Sequence, residues 1–137
     1  MLVEYQTQKL QLVSKIESIN LIEKLVDEIR DEYHIAEDSY GNMLVAITEA
    51  VTNAIYHGNK ANPELKVNIS YELRNNKVAF VISDEGIGFD YYNLPDPTAP
   101  ENLERPCGRG IYLMRHLSDQ LIFADNGRTV ELYFQVN

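Results

Sequence analysis

Three residues able to do chemistry recur at every fourth position within residues 47–59: Glu49, Asn53 and His57. On a helix this spacing aligns a carboxylate, a carboxamide and an imidazole along one face. Such a strip could be catalytic, and a solvated helix face would carry the same pattern. Ile47, Ala50, Val51, Ala54 and Ile55 supply an apolar stripe for a core on another face. Gly58 and Asn59 read as the stop.

Two glycine-rich stretches come next. Asp84-Glu85-Gly86-Ile87-Gly88 follows an apolar strand, and its glycines would let a ligand approach the backbone. An ionised aspartate only accepts hydrogen bonds, so Asp84 could hold the exocyclic amine of adenine and repel the carbonyl of guanine. A plain turn at a strand end fits the same residues. Tyr91 stands where Gly-x-Gly-x-x-Gly needs its third glycine, and no Gly-x-x-x-x-Gly-Lys-Ser/Thr run occurs. The usual dinucleotide and P-loop motifs are therefore excluded. Gly108-Arg109-Gly110 opens a helix, where free N–H groups attract phosphate, although a hinge after a loop has the same composition. Cys107 reads as a bystander, and His34 and His116 as surface residues near helix ends.

The surrounding sequence supplies the elements that must position these groups. Residues 5–13 read as an edge strand. Ser14-Lys15-Ile16-Glu17 has the form of a capping box, followed by Ile16, Ile19, Ile22, Leu25, Val26, Ile29 and Tyr33 at helical spacing. This predicts a helix over about residues 15–33. Asp38-Ser39 is expected to cap a second helix running to His57. Leu65, Val67, Ile69 and Tyr71 alternate as a half-buried strand, and Asn75-Asn76 turns the chain into a second strand at 78–83. Residues 91–107 hold four of the five prolines and are expected to form a lid or binding loop. A helix from Gly108 to about Leu117 and a hairpin turning at Asn126-Gly127 complete the chain. The order predicts an α+β fold, a two-layer α/β sandwich with helices on one face of a mostly antiparallel sheet.

Composition narrows the function classes. At 137 residues and 45% hydrophobic content, residues 1–137 are expected to form a single domain with a real core. Twelve basic against 21 acidic residues give a net charge of -9, which disfavours direct nucleic-acid binding. The single cysteine excludes an internal disulfide. No apolar run approaches the roughly 20 residues that would cross a bilayer, and the start carries no signal-peptide pattern. A cytoplasmic setting is expected.

Each motif is weak alone, but their combination and order are not. Glu49-x-x-x-Asn53 on a helix, Asp84-x-Gly86-x-Gly88 after a strand and Gly108-x-Gly110 after a loop resemble the N, G1 and G2 boxes of the GHKL ATPases. The closer resemblance is to the bacterial anti-sigma factor serine/threonine kinases, through Glu49-Ala-Val-Thr-Asn53-Ala-Ile-Tyr-His57-Gly58 and Gly108-Arg-Gly110-Ile-Tyr-Leu-Met114. It covers nearly the whole chain and implies the Bergerat (GHKL) ATP-binding fold. By this resemblance Asn53 is a magnesium ligand, Glu49 the general base, and Asp84 the reader of adenine, with Gly86 and Gly88 admitting the base. Gly108, Arg109 and Gly110 would receive the phosphates of ATP, His57 would belong to the same nucleotide site, and Thr129 would help to bind adenine. Arg105, in the lid, could add positive charge.

Three functions compete on these grounds. The resemblance implies an ATP- and magnesium-dependent kinase that phosphorylates an anti-anti-sigma antagonist protein on serine or threonine and otherwise sequesters a sigma factor. A stand-alone ATP-binding domain of a histidine kinase-type system would need a phosphoacceptor histidine, and none lies in the helix at 15–33. A nucleotide-binding regulatory module without kinase activity would have no use for both Glu49 and Asn53. Homodimerisation, frequent in the family, leaves no mark in the sequence.

Overall fold

The computed structural model describes residues 8–88 and 106–136. Five strands form one sheet: β1 (Gln8–Val13), β2 (Lys66–Arg74), β3 (Lys77–Ser83), β4 (Gln120–Ala124) and β5 (Thr129–Gln135). Their order is β1-β2-β3-β5-β4, and every neighbouring pair is antiparallel. Helices α1 (Ile19–Tyr33), α2 (Glu37–Asn53) and α3 (Pro106–Leu117) cover one face.

Alternation along the strands fixes that face. Val67, Ile69, Tyr71, Val78, Phe80, Ile82, Val130, Leu132 and Phe134 point into a continuous core with Ile22, Val26 and Ile29 of α1 and Met43, Ile47 and Val51 of α2. The opposite face carries polar residues such as Asn68, Glu72 and Glu131, none of them buried. Phe80 sits at the centre of the sheet, fully buried, with its ring edge-on to Phe134 and tilted against Tyr71, both at 5.9 Å.

The α+β sandwich is the predicted one, and the apolar stripe of α2 is buried as expected. Asn75 and Asn76 both adopt positive φ (48° and 65°) between the paired residues Arg74 and Lys77, a tight two-residue hairpin turn. Several local expectations need correction. The capping box at Ser14 does not form, because the Ser14 hydroxyl donates to the Leu65 carbonyl (2.7 Å) and accepts from the Asn59 amide (2.9 Å). A 3-10 turn at Ile16–Ser18 intervenes, and α1 begins only at Ile19. Asp38 and Ser39 lie inside the first turn of α2, whose N-cap is Ala36. Acidic Glu37 and Asp38 favour that helix end through the dipole instead.

Two further differences lie at the C-terminal side. α3 starts at Pro106 rather than Gly108, since proline is tolerated in a first turn where its missing N–H has no partner to lose. The last hairpin closes with a four-residue turn, Asp125 to Arg128, between the paired Ala124 and Thr129. Three consecutive positive φ values, at Asp125, Asn126 and Gly127, account for the longer turn. His34 closes α1 in the left-handed conformation, and the exposed His116 stacks on Tyr112 at 4.5 Å.

Phe80→Ala should lower stability by about 3–5 kcal/mol, the usual cost of removing a fully buried ring. In urea denaturation the midpoint should fall while the slope stays constant.

Candidate functional site

The site forms where the end of α2 meets the ends of β3 and β5. After Asn53 the helix widens into a π turn, Ala54–Gly58, closed by the Asn59 N–H to the Ala54 carbonyl (2.8 Å). The π turn breaks the regular fourfold spacing, so the predicted line of Glu49, Asn53 and His57 does not continue straight. Glu49 and Asn53 stay together, half-buried on α2, and His57 swings outward as an exposed residue at the rim. Partial burial of its ring, and then the nearby Lys60 charge, push the His57 pKa below the ordinary value, which keeps it neutral at neutral pH.

Asn53, His57 and Gly58 line a cavity with about 540 Å³ of free space, part of it open to solvent. Asp84, Gly88 and Arg128 line it from the sheet side, and Ala50, Ile82, Met114 and Phe123 give it apolar walls. This lining, apolar walls with one polar edge at Asp84, suits a flat apolar ring with a polar edge.

The Asp84 carboxylate is held tightly. Its Oδ1 accepts the Gly86 N–H (2.8 Å), and its backbone N–H donates to the Arg128 carbonyl (2.9 Å). Burial, the largest influence, raises the Asp84 pKa against the opposing Gly86 bond and Arg128 charge. The loop packs so closely that a Cβ at Gly58 would stand 2.3 Å from the Asp84 Cγ. A Cβ at Gly86 would stand 2.0 Å from the Gly58 carbonyl oxygen. Gly88, at φ 85°, sits against the Asn126 carbonyl of the last turn.

Gly110 makes the other close approach. In the first turns of α3 it is buried, and a Cβ there would come 2.9 Å from Glu49 Oε2 and 3.1 Å from the Asn53 amide. The missing side chain leaves a polar cradle in which a carboxylate and a carboxamide face the start of a helix. Hard oxygen donors of this kind, beside helix N–H groups, suit a magnesium ion carried by a polyphosphate.

The structure thus brings Glu49, Asn53, Asp84, Gly86, Gly88 and Gly110 around one site, with His57 at its rim. Gly108 and Arg109 belong to the first turn of α3. Thr129 pairs with Ser83 directly before Asp84, but it shares the strand parity of Glu131 and Tyr133 and does not line the cavity. Arg105 and residues 91–105 of the expected lid lie outside the described residues. Sequence reasoning missed Arg128, which forms a two-bond ion pair with Asp125 (2.9 and 3.2 Å), and the supporting role of Asn59. Neither carries a local signal beyond belonging to a turn.

A family profile described as the histidine kinase-like ATPase domain matches residues 12–134, nearly the full described fold. The chain belongs to the histidine kinase-like ATPase domain family. ATP use follows from that membership. Among curated relatives, the serine-protein kinase RsbW of Staphylococcus epidermidis is 28% identical over 132 residues, spanning 90% of this chain and 83% of that protein. The serine-protein kinase RsbW of Bacillus cereus is 27% identical over 137 residues, spanning 95% and 85%. The crystal structure of the RsbU and RsbW domains of Rv1364c from Mycobacterium tuberculosis shares the fold, with a TM-score of 0.65 at 14% identity. The match covers 96% of this chain and 32% of that one.

Two consequences can be checked without ligand. Gly58→Ala should destabilise this ATPase domain by about 1–3 kcal/mol, because the new methyl overlaps the Asp84 carboxylate. Gly41→Ala, in open space within α2, should instead gain about 0.5–1 kcal/mol. The second concerns pH. A raised folded-state pKa means that ionising Asp84 opposes folding, fully so above the folded value and not at all below the unfolded one. Asp84→Asn should therefore raise the melting temperature at neutral pH, and the gain should shrink as pH falls into the carboxylate range.

Proposed function

We propose that this chain is an ATP-dependent serine/threonine protein kinase that acts as an anti-sigma factor. Its substrate would be a small anti-anti-sigma protein, phosphorylated on serine or threonine, and its second partner a sigma factor. The observation that carries this reading is the pairing of Glu49 and Asn53 beneath Gly110, beside a cavity that ends at Asp84. The similarity to serine-protein kinases over most of the chain supports it. On this reading residues 1–137 form one histidine kinase-like ATPase domain, cytoplasmic and without direct nucleic-acid contact, able to pair as a homodimer. Among the described residues no helix is long and apolar enough to cross a membrane.

The chemistry follows from the positions of the side chains. Asp84 accepts the exocyclic amine of adenine with the carboxylate oxygen not engaged by Gly86, while the apolar walls hold the ring. The first turn of α3, with Gly108 to Gly110, meets the phosphates through free N–H groups and the helix dipole. Asn53 would hold magnesium through its carboxamide oxygen, and the ion would offset phosphate charge. Glu49, one helical turn away, takes the proton from a substrate hydroxyl as its oxygen bonds to the γ-phosphorus and the bond to the β-phosphate oxygen breaks, releasing ADP. His57, neutral at the rim, can donate or accept a hydrogen bond there but is not positioned in line with Glu49.

A histidine kinase-type partnership is the weaker reading, since α1 contains no histidine to accept phosphate. A module that only binds nucleotide would not need the Glu49 carboxylate.

Glu49→Gln should lower phosphate transfer to the antagonist about 10²–10⁴-fold while ATP binding stays near the unaltered value. Asn53→Ala should reduce both. Labelled ATP with a candidate antagonist, beside calorimetric binding, separates the two effects. Transfer by Glu49→Gln at the full rate removes Glu49 as the base, and no transfer by either protein favours the binding module. Asp84→Asn should weaken ATP binding by about 1–3 kcal/mol, as loss of a charge-assisted hydrogen bond requires. Equal affinity for ATP and GTP in the unaltered protein would remove the adenine assignment.

A further inference from the structure

We infer that Asn59 is the positioning residue that sets base selectivity, by fixing where the Asp84 carboxylate stands. Asn59 is fully buried, and it is one of three buried polar or charged side chains among the described residues. Its side chain makes three hydrogen bonds, using both amide donors and the carbonyl oxygen. Oδ1 accepts the Glu85 N–H at 2.8 Å, and Nδ2 donates to the Lys66 carbonyl (3.0 Å) and the Ser14 hydroxyl (2.9 Å). Ser14 passes the link on to the Leu65 carbonyl at 2.7 Å. One carboxamide thus ties the end of the π turn, the end of β1, the start of β2 and the loop after β3.

The pattern is specific to asparagine. Aspartate would offer no donor to the Lys66 carbonyl, and an apolar residue would take this partner from the Glu85 N–H and the Lys66 carbonyl and one donor from the Ser14 hydroxyl. The Glu85 side chain adds a second clamp on the same loop, accepting the Lys66 N–H at 2.5 Å. Asp84 lies between the two attachments that fix its loop, its own N–H on Arg128 and the Glu85 N–H on Asn59. Loosening the Asn59 end lets the carboxylate drift from the position that meets an exocyclic amine. The apolar walls of the cavity do not involve Asn59 and keep their hold on the ring. Asn59 touches no ligand in this scheme; it acts through Asp84.

The inference rests on the assignment of Asp84 as the adenine reader, and the experiment separates the two. Calorimetric affinities are measured for ATP and for purine riboside triphosphate, which lacks the 6-amine, using the unaltered protein, Asn59→Ala and Ser14→Ala. The unaltered protein should prefer ATP about tenfold or more, the worth of one good hydrogen bond. Equal affinities there overturn the Asp84 assignment and the inference with it. In folded Asn59→Ala the preference should collapse to within about twofold, through loss of ATP affinity with the analogue little changed. A retained preference, or an equal loss for both nucleotides, shows a purely structural role and overturns the inference alone. If Asn59→Ala does not fold, Ser14→Ala decides: it removes one acceptor of the Asn59 amide and should cut the preference about two- to threefold. An unchanged preference in that variant overturns the inference.

Discussion

The end of α2 and the end of β3 meet with no room for a side chain between them. Gly58 lies against the Asp84 carboxylate, and Gly86 lies against the Gly58 carbonyl. Everything that makes the site depends on this contact, because it brings a helix-borne pair, Glu49 and Asn53, to the same cavity as a strand-borne aspartate. The π turn at Ala54–Gly58 supplies the geometry, since an ordinary helical turn would carry Gly58 to a different angle relative to β3. Gly110 repeats the device from the other side, bringing α3 onto Glu49 and Asn53. Two close approaches that only glycine permits therefore join three elements remote in sequence.

Electrostatics explains why backbone groups dominate the design. A chain of net charge -9 that uses ATP works against its own field, so the charge of the phosphates has to be met locally. Asp84 illustrates the opposite pressure. A carboxylate in partly apolar surroundings opposes folding, and the loop offsets part of that cost by giving one oxygen the Gly86 N–H. Arg128 lowers the penalty from nearby, while its exposed pair with Asp125 adds little stability. The core supplies what the site withholds: Phe80, Ile82, Leu132 and the buried stripe of α2 belong to one continuous cluster, of which Ile82 also lines the cavity.

The sequence by itself determined the layer order, the antiparallel hairpins and the buried stripe of α2, because those follow from period-two and period-3.6 patterns that read locally. It also marked Glu49, Asn53, Asp84, Gly86, Gly88 and Gly110 as candidates, since their residue types and spacings carry chemical meaning. Only the tertiary structure decided how they meet. No local pattern shows that α2 widens after Asn53, that His57 leaves the line, or that Ser14 gives up a helix cap for Leu65 and Asn59. The same holds for Asn59, a stop signal in the sequence and a buried junction in the fold, and for Thr129, whose strand parity turns it from the cavity. The physical reason is common to all of them. These outcomes depend on hydrogen-bond partners and steric contacts dozens of residues apart, and such partners exist only once the sheet and helices have packed.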